Sequence, residues 1–347
     1  MRLKVGFGFI ALSAALAPAG CGHGTVIGST PGPTPSPAPP SVTAQFTLPS
    51  TSALPGGVAL GSDGLVYVTE PGANSVAALN PTVGTFTTYM AHLANARPSG
   101  ITLGPDNNVW LTEPGANAVA TISRLQIHEF PLAAGTTPAM ITMGPGSNLY
   151  FTEPGVNGIG SINTGSDAIA PTVTIPTAGA NPLGIVQGTD NNIYFTEYNT
   201  AKIGRLNTSL SPAAIDAEIA LPAGATNPGQ IIQGPDTALW FTENTPSGPM
   251  LGRLSVTTGT ISQFALKGAA SASALTVGVD NNLYFLDAKN NAVGVFIVAT
   301  QTTNEFAIPS ANALLSAVFP IGMAVGPDGK LYFSEANANQ LAQFSYF

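Results

Sequence analysis

Short apolar runs separated by Gly, Pro, Asn and Asp dominate the chain, and they recur with one spacing. From Asp63 to Glu335 the same phrase appears seven times: a short apolar strand, a Gly-rich turn, an aromatic strand ending in a carboxylate, and an Asn/Gly turn. The clearest copies are GPDNNVWLTEPGAN from Gly104, GTDNNIYFTEYN from Gly188, GPDTALWFTEN from Gly234 and GPDGKLYFSEANAN from Gly326. The strand-ending carboxylates Glu70, Glu113, Glu153, Glu197, Glu243, Asp287 and Glu335 lie 40 to 48 residues apart, which is the period of a propeller blade. Within one copy the pattern predicts four short antiparallel strands. In the second copy Gly100 to Leu103 is the inner strand, Val109 to Glu113 the second, Ala118 to Ser123 the third and Gln126 to Leu132 the outer one, with Asn and Gly at turns that need positive φ. The mid-strand aromatics Tyr67, Trp110, Tyr150, Tyr194, Trp240, Tyr284 and Tyr332 are expected to pack between neighbouring sheets rather than to stack on a ligand. Glycines on the inner strands fit a crowded axis.

The seventh copy has no outer strand, because only QLAQFSYF follows its last turn. A matching segment stands at the other end: VTAQFTLP from Val42 reads like the outer strands ISQFAL from Ile261 and NEFAIP from Asn304. The expected fold is therefore all-β, a seven-bladed β-propeller of four-stranded antiparallel blades over residues 42–347, with its ring closed by an N-terminal outer strand in the last blade.

Ahead of the repeats, Arg2 and Lys4 precede an uncharged apolar run and the small-residue stretch Pro18-Ala19-Gly20-Cys21, the layout of an export signal over residues 1–21. Cys21 is the single cysteine, so an internal disulfide is excluded. Ala19-Gly20-Cys21 resembles the bacterial lipobox, with Pro18 departing from its usual aliphatic residue. Cys21 is accordingly expected to become a lipidated first residue in the bacterial cell envelope; the alternative is a soluble secreted protein cut after Ala19. Residues 22–41 carry Pro31, Pro33, Pro35, Pro37, Pro39 and Pro40 and are expected to form a stiff tether. Contact with a membrane is expected only through that anchor, and a monomer is expected. Without Arg2 and Lys4 the chain has eight basic residues against 18 acidic ones. With no Lys/Arg cluster to neutralise phosphates, a nucleic-acid partner is not expected. Much of the acidity is architectural: the strand-end carboxylates, plus Asp63, Asp106, Asp190, Asp236, Asp280 and Asp328 in the preceding turns.

The chain has no GxSxG elbow, P-loop, GxGxxG, HExxH or calcium loop, so chemistry has to come from what decorates the repeat. The strand-end carboxylates fall on the face shared by the second turns of the blades and the loops between blades. Seven like charges aimed at one channel would either bind a cation or accept hydrogen bonds from local backbone NH groups, and the repetition favours the second reading. A turn-capping position of this kind is not expected to raise carboxylate pKa values strongly. His92, in a loop between blades, is the candidate catalytic imidazole, whereas His128 on an outer strand reads as surface. The irregular residues of the same face are Arg97, Tyr198, Lys202, Lys289 and the lengthened turn from Thr245 to Gly248. With Glu113, Glu153, Glu197, Glu243 and Asp287 they mark where a small molecule, peptide, glycan or partner protein would be read at the channel mouth.

The phrases LWFTEN, IYFTEYNTAKIGRL and RPSGITLGPDNNVW, repeated about seven times behind an export signal, resemble the virginiamycin B lyase (streptogramin lyase) family of seven-bladed propellers. The resemblance implies a magnesium-dependent lyase that linearises cyclic depsipeptides by elimination across an ester, using histidines and glutamates near the channel mouth. Such an elimination needs a base beside the carbonyl and an acid at the departing oxygen. The places before the inner strands, where active relatives tend to carry a histidine, hold Ser99, Ala139, Leu183, Gly229, Ala274 and Pro320. Two readings follow: a binding propeller without this catalysis, and a lyase acting through carboxylates and His92.

Overall fold

The computed structural model describes residues 38–314 and 322–346. Apart from one 3-10 turn at Pro154–Val156, its regular structure is entirely β, arranged as seven four-stranded sheets. The second sheet is Ile101–Leu103, Val109–Glu113, Ala118–Ser123 and Gln126–Pro131, joined antiparallel in that order. Five other sheets repeat this order with consecutive strands. The seventh is composite: Met323–Val325, Leu331–Glu335 and Gln340–Ser345 are completed by Ser41–Thr47 from the start of the chain. Thr47 pairs with Gln340 and Ser41 with Ser345, which is the closure read from the sequence. Each inner strand touches the inner strand of the next sheet, and Met323–Val325 touches Val58–Leu60, so the seven sheets form a closed ring of blades.

Alternation along the second strand explains how blades adhere. Successive side chains of a strand point to opposite faces of its sheet, and in a propeller each face abuts a neighbouring blade. Trp110 faces blade three, packing with Leu149, Phe151 and Ile162, while Val109 and Leu111 face blade one, packing with Tyr67 and Val76. All seven repeated aromatics are buried, at 0–7% exposure, so they are core, as expected. Their polar tips have a task that the repeat alone did not reveal. Tyr67 Oη, Trp110 Nε1, Tyr194 Oη, Trp240 Nε1, Tyr284 Oη and Tyr332 Oη each donate to the aspartate four residues earlier, at 2.8–3.1 Å. The turn aspartates thus satisfy buried donors, which confirms their architectural reading.

The threonine after the aromatic ties blade to blade. Thr69, Thr112, Thr152 and Thr196 donate their hydroxyls to the carbonyls of Ser99, Ala139, Leu183 and Gly229 in the next blade, at 2.6–3.0 Å. Crowding at the axis is real: a Cβ on Gly100 would lie 2.5 Å from Ala139 O, and one on Gly104 2.5 Å from the Trp110 ring. Asparagines of the second turns act as staples. Asn157, for example, donates to Thr177 O at 2.9 Å and accepts from Ala180 NH at 2.8 Å, closing the loop that leads into the next blade. Among the described residues no helix is long and apolar enough to cross a membrane.

Candidate functional site

The carboxylates that end the second strands are fully buried, at 0–2% exposure, and they do not converge on the channel. Each is on the side of the strand opposite the preceding residue, which in blades one to four is the blade-tying threonine. Its partners come from its own blade's third and outer strands, its own second turn, or the loop that enters the blade. Glu70 accepts from Ser75 and Ser50, Glu153 from Thr172 at 2.6 Å, and Glu197 from Thr200 at 2.7 Å. Glu243 accepts from Gln263 at 2.6 Å and Glu335 from Gln45 at 2.7 Å. The expectation of backbone donors holds only for Asp287, which takes the NH groups of Ala270, Lys289 and Asn290 besides the Ser271 hydroxyl. Elsewhere, Glu113 apart, side chains donate instead.

Space for these partners is made on the third strand, where Ala120, Gly204, Gly252, Gly294 and Ala342 stand opposite Glu129, Glu218, Gln263, Glu305 and Gln45 of the outer strands. In blades two, four and six the outer residue is itself acidic, so two carboxylates share one buried pocket. This overturns the expectation of ordinary acidities, since burial and like-charge pairing are both present. Burial, with Glu129 adding to it, pushes Glu113 up to about 8. Burial and the neighbouring Glu218 push Glu197 up to about 7 against the opposing Thr200 hydroxyl and Lys202. Burial raises Glu70, Glu153, Glu243 and Glu335 as well. Asp287 goes the other way: burial pushes it up, but the Ser271 hydroxyl and the NH groups of Ala270 and Asn290 outweigh that and hold it below the usual range. Glu113 is distinctive because both of its oxygens are buried without a hydrogen-bond partner.

His92 belongs to this scaffold. Its loop crosses the outer strand of blade two, where its NH donates to Glu129 Oε1 at 2.6 Å and its Nδ1 lies 3.2 Å from Oε2. The imidazole is 63% exposed, and it sits against an outer strand rather than an inner one. Burial raises Glu129, but the His92 and Leu93 contacts outweigh it and hold the carboxyl low. His128 is exposed on the outer strand Gln126–Pro131, as read. Lys202 is engaged, with Nζ 2.6 Å from Thr177 Oγ1 and 3.8 Å from Glu218. Arg97 and Lys289 are exposed and Tyr198 half-buried, in the loops of blades two, six and four. No hydrogen bond among the described residues joins these three to one another. Thr245 closes its own turn by donating to Gly248 O at 2.7 Å.

The inner-strand entry positions are fixed by backbone bonds. Gly56, Ser99, Ala139 and Ser273 each donate their NH to the second strand of their own blade, at 2.9–3.0 Å. Ser273 therefore occupies the place assigned above to Ala274, which instead stands level with Gly100. Pro320 lies outside the described residues. None of these entry positions among the described residues carries an imidazole. Nor is any group of three His, Cys, Asp or Glu side chains among the described residues placed to hold a metal ion.

With that geometry established, comparison with known proteins places the chain. A family model described as the virginiamycin B lyase family matches residues 38–213 and 210–346. No curated protein sequence matches the chain. Among solved structures, virginiamycin B lyase from Staphylococcus aureus is 28% identical over 88% of this chain and 99% of that one, with a TM-score of 0.78. A streptogramin B lyase is 26% identical over 87% and 96%, with the same TM-score. A catalytically inactive histidine-to-alanine form of the Staphylococcus aureus enzyme, solved with quinupristin, matches at 28%. These matches span the whole ring, and the chain belongs to the virginiamycin B lyase family.

Proposed function

We propose that this protein is an exported, lipid-anchored binding propeller of the virginiamycin B lyase family, reading a small molecule, peptide, glycan or protein with the loops around the channel mouth, and that it does not perform the lyase reaction. One observation carries the reading: the described inner-strand entry positions hold Gly56, Ser99, Ala139, Leu183, Gly229 and Ser273, while the related Staphylococcus aureus lyase is inactivated by loss of one histidine. Elimination across an ester needs a positioned base and acid, each typically worth about 10²–10⁴-fold, and the buried carboxylates of this ring face outer strands. The assay is turnover of quinupristin by the purified protein with and without Mg²⁺. No linearisation is expected, and a thermal-shift screen of cyclic depsipeptides should then identify binders by raised stability.

A lyase reading is supported by the family membership and by one local feature, the raised Glu113 beside Glu129, which His92 contacts. It predicts linearisation that His92→Ala abolishes; that result would overturn the binding reading. The anchor rests on Cys21 within Ala19-Gly20-Cys21 and on the proline-rich residues that follow; Cys21 and the residues up to 37 lie outside the described residues. Mass spectrometry of the membrane fraction should find Cys21 as an acylated N-terminus, and an unmodified thiol behind Gly20 would refute it.

A further inference from the structure

Two clasps hold the loop of residues 91–98, which leads from the outer strand of blade one to the inner strand of blade two. From blade one, Asn74 donates to Leu93 O at 3.0 Å and accepts from Arg97 NH at 3.1 Å. From blade two, Glu129 Oε1 accepts from the NH groups of His92 and Leu93, at 2.6 and 3.3 Å, and His92 Nδ1 lies 3.2 Å from Oε2. The loop delivers Arg97, exposed and at positive φ (55°), to the channel mouth just ahead of Ser99. Whatever holds His92 and Leu93 therefore also sets that part of the mouth. Behind the second clasp lies Glu113, fully buried and with neither oxygen hydrogen-bonded. Glu129 shares its pocket across Ala120. The loop is its cover: Gly115 NH donates to Ala96 O at 3.0 Å and a Cβ on Gly115 would collide with Asn95 O, so the turn after Glu113 is pressed against the loop.

Blade four has the same plan with its charges answered. Glu218 accepts from Thr177 NH of the entering loop at 3.2 Å, and Glu197 beside it accepts from the Thr200 hydroxyl at 2.7 Å. Lys202, paired with Glu197 across the strands, brings Nζ to 3.8 Å from Glu218. Blade two has Ala116 where blade four has Thr200, and Ala118 where it has Lys202. The titratable or charged groups on the elements packed around Glu113 are Glu129 of the outer strand, His92 and Arg97 of the loop, and Tyr67 and Tyr89 of blade one; the third strand Ala118–Ser123 and the turn before it carry none. Of these, among the described residues, His92 alone pairs with either carboxylate, and it pairs with Glu129; Arg97 is in no ion pair.

We propose that Glu113 and Glu129 form a proton-gated clasp: while Glu113 holds its proton, Glu129 keeps the loop on blade two, and when Glu113 gives that proton to solvent the loop leaves blade two and the mouth around Arg97 is reset. Two ionised carboxylates in one dry pocket repel, and an ionised carboxylate without hydrogen bonds is costly to bury. Lifting the loop hydrates both. The Asn74 clasp is neutral and indifferent to the proton, so the opening is local and hinged on blade one. Its direction follows from Glu113, which burial and then Glu129 raise from 4.5 to about 8 in the closed state. The advantage of closure is complete below pH 4.5, shrinks as the pH rises and is gone by about pH 8.

The test is amide hydrogen exchange of the full chain, followed by NMR from pH 5 to 8 with the intrinsic chemical exchange rates divided out. Protection of the His92 and Leu93 NH groups should fall by up to about ten-fold per pH unit, while Trp110 and Leu111 of the buried second strand stay protected. Glu113→Gln should hold the loop protection level across the range. His92→Ala should keep the fall at Leu93, because the gating proton is on Glu113 and not on the imidazole. A fall that persists in Glu113→Gln, one that vanishes in His92→Ala, a level wild-type profile, or loop and strand exchanging with a common protection would each overturn the proposal. The His92→Ala arm and the comparison of loop with strand decide it even if Glu113→Gln fails to fold.

Discussion

Replacing Glu113 by glutamine is expected to stabilise the protein, and increasingly so as the pH rises. The wild-type carboxyl is fully buried, has no hydrogen-bond partner for either oxygen, and is raised by burial and by Glu129 from 4.5 to about 8. Between these values the folded chain holds a proton that the unfolded chain has lost. Stability linked to this group is therefore fully present below pH 4.5, declines as the pH rises, and is lost by about pH 8. At about 1.4 kcal/mol for each pH unit between the two values, the accumulated loss is on the order of 5 kcal/mol above pH 8 and roughly 3 kcal/mol at pH 7, as an upper bound. Glutamine keeps the volume and a donor and cannot ionise. Urea or thermal unfolding of both proteins from pH 4 to 9 should show curves that nearly coincide at pH 4 and diverge steadily, with the variant ahead by several degrees at pH 8. The other raised carboxylates are common to both proteins, so the difference isolates Glu113. A difference independent of pH, or a variant less stable than wild type at pH 8, would refute the argument.

Two further outcomes test the ring. Deleting residues 42–49 removes the outer strand that pairs with Gln340–Ser345 and the Gln45 contact to buried Glu335, exposing an unpaired edge; aggregation or a large fall in melting temperature is expected, and an unchanged melting temperature would disprove the register. Thr112→Val removes a buried hydroxyl that donates to Ala139 O at 2.6 Å and accepts from Gly100 NH at 2.9 Å, so a loss of roughly 1–3 kcal/mol is expected in equilibrium unfolding, against near-neutrality for the exposed Thr258→Val.

The ring was legible in the chain because its spacing, its alternating strands and the displaced outer strand at Val42 are local signals. What the carboxylates do was only half legible. The same period-two alternation that buries Trp110 sends Thr112 towards blade three and Glu113 towards blade one, so neither faces the channel. The channel-directed alternative fails because a blade's faces meet other blades, while the favoured structural role holds with side-chain rather than backbone donors in most blades. The partners Ser75, Thr172, Gln263 and Gln45 could not be foreseen, because they come from different strands in different blades and share no one residue type. The pairing of Glu113 with Glu129, Glu197 with Glu218 and Asp287 with Glu305 depends on small residues across the third strand, a condition visible only once register is known.

The composite seventh blade also sets an order of events. Each of the other six blades is encoded by contiguous sequence, so its hairpins form from local contacts, whereas Ser41–Thr47 must wait for Gln340–Ser345 at the far end of the chain. Contacts of such separation are slow to form and come after much of the entropy of the intervening chain has already been lost. On a chain synthesised from its N-terminus, the first strand to appear is the last to find its partner. A prematurely terminated product can fold blades but cannot close, and its open edges mark it as incomplete.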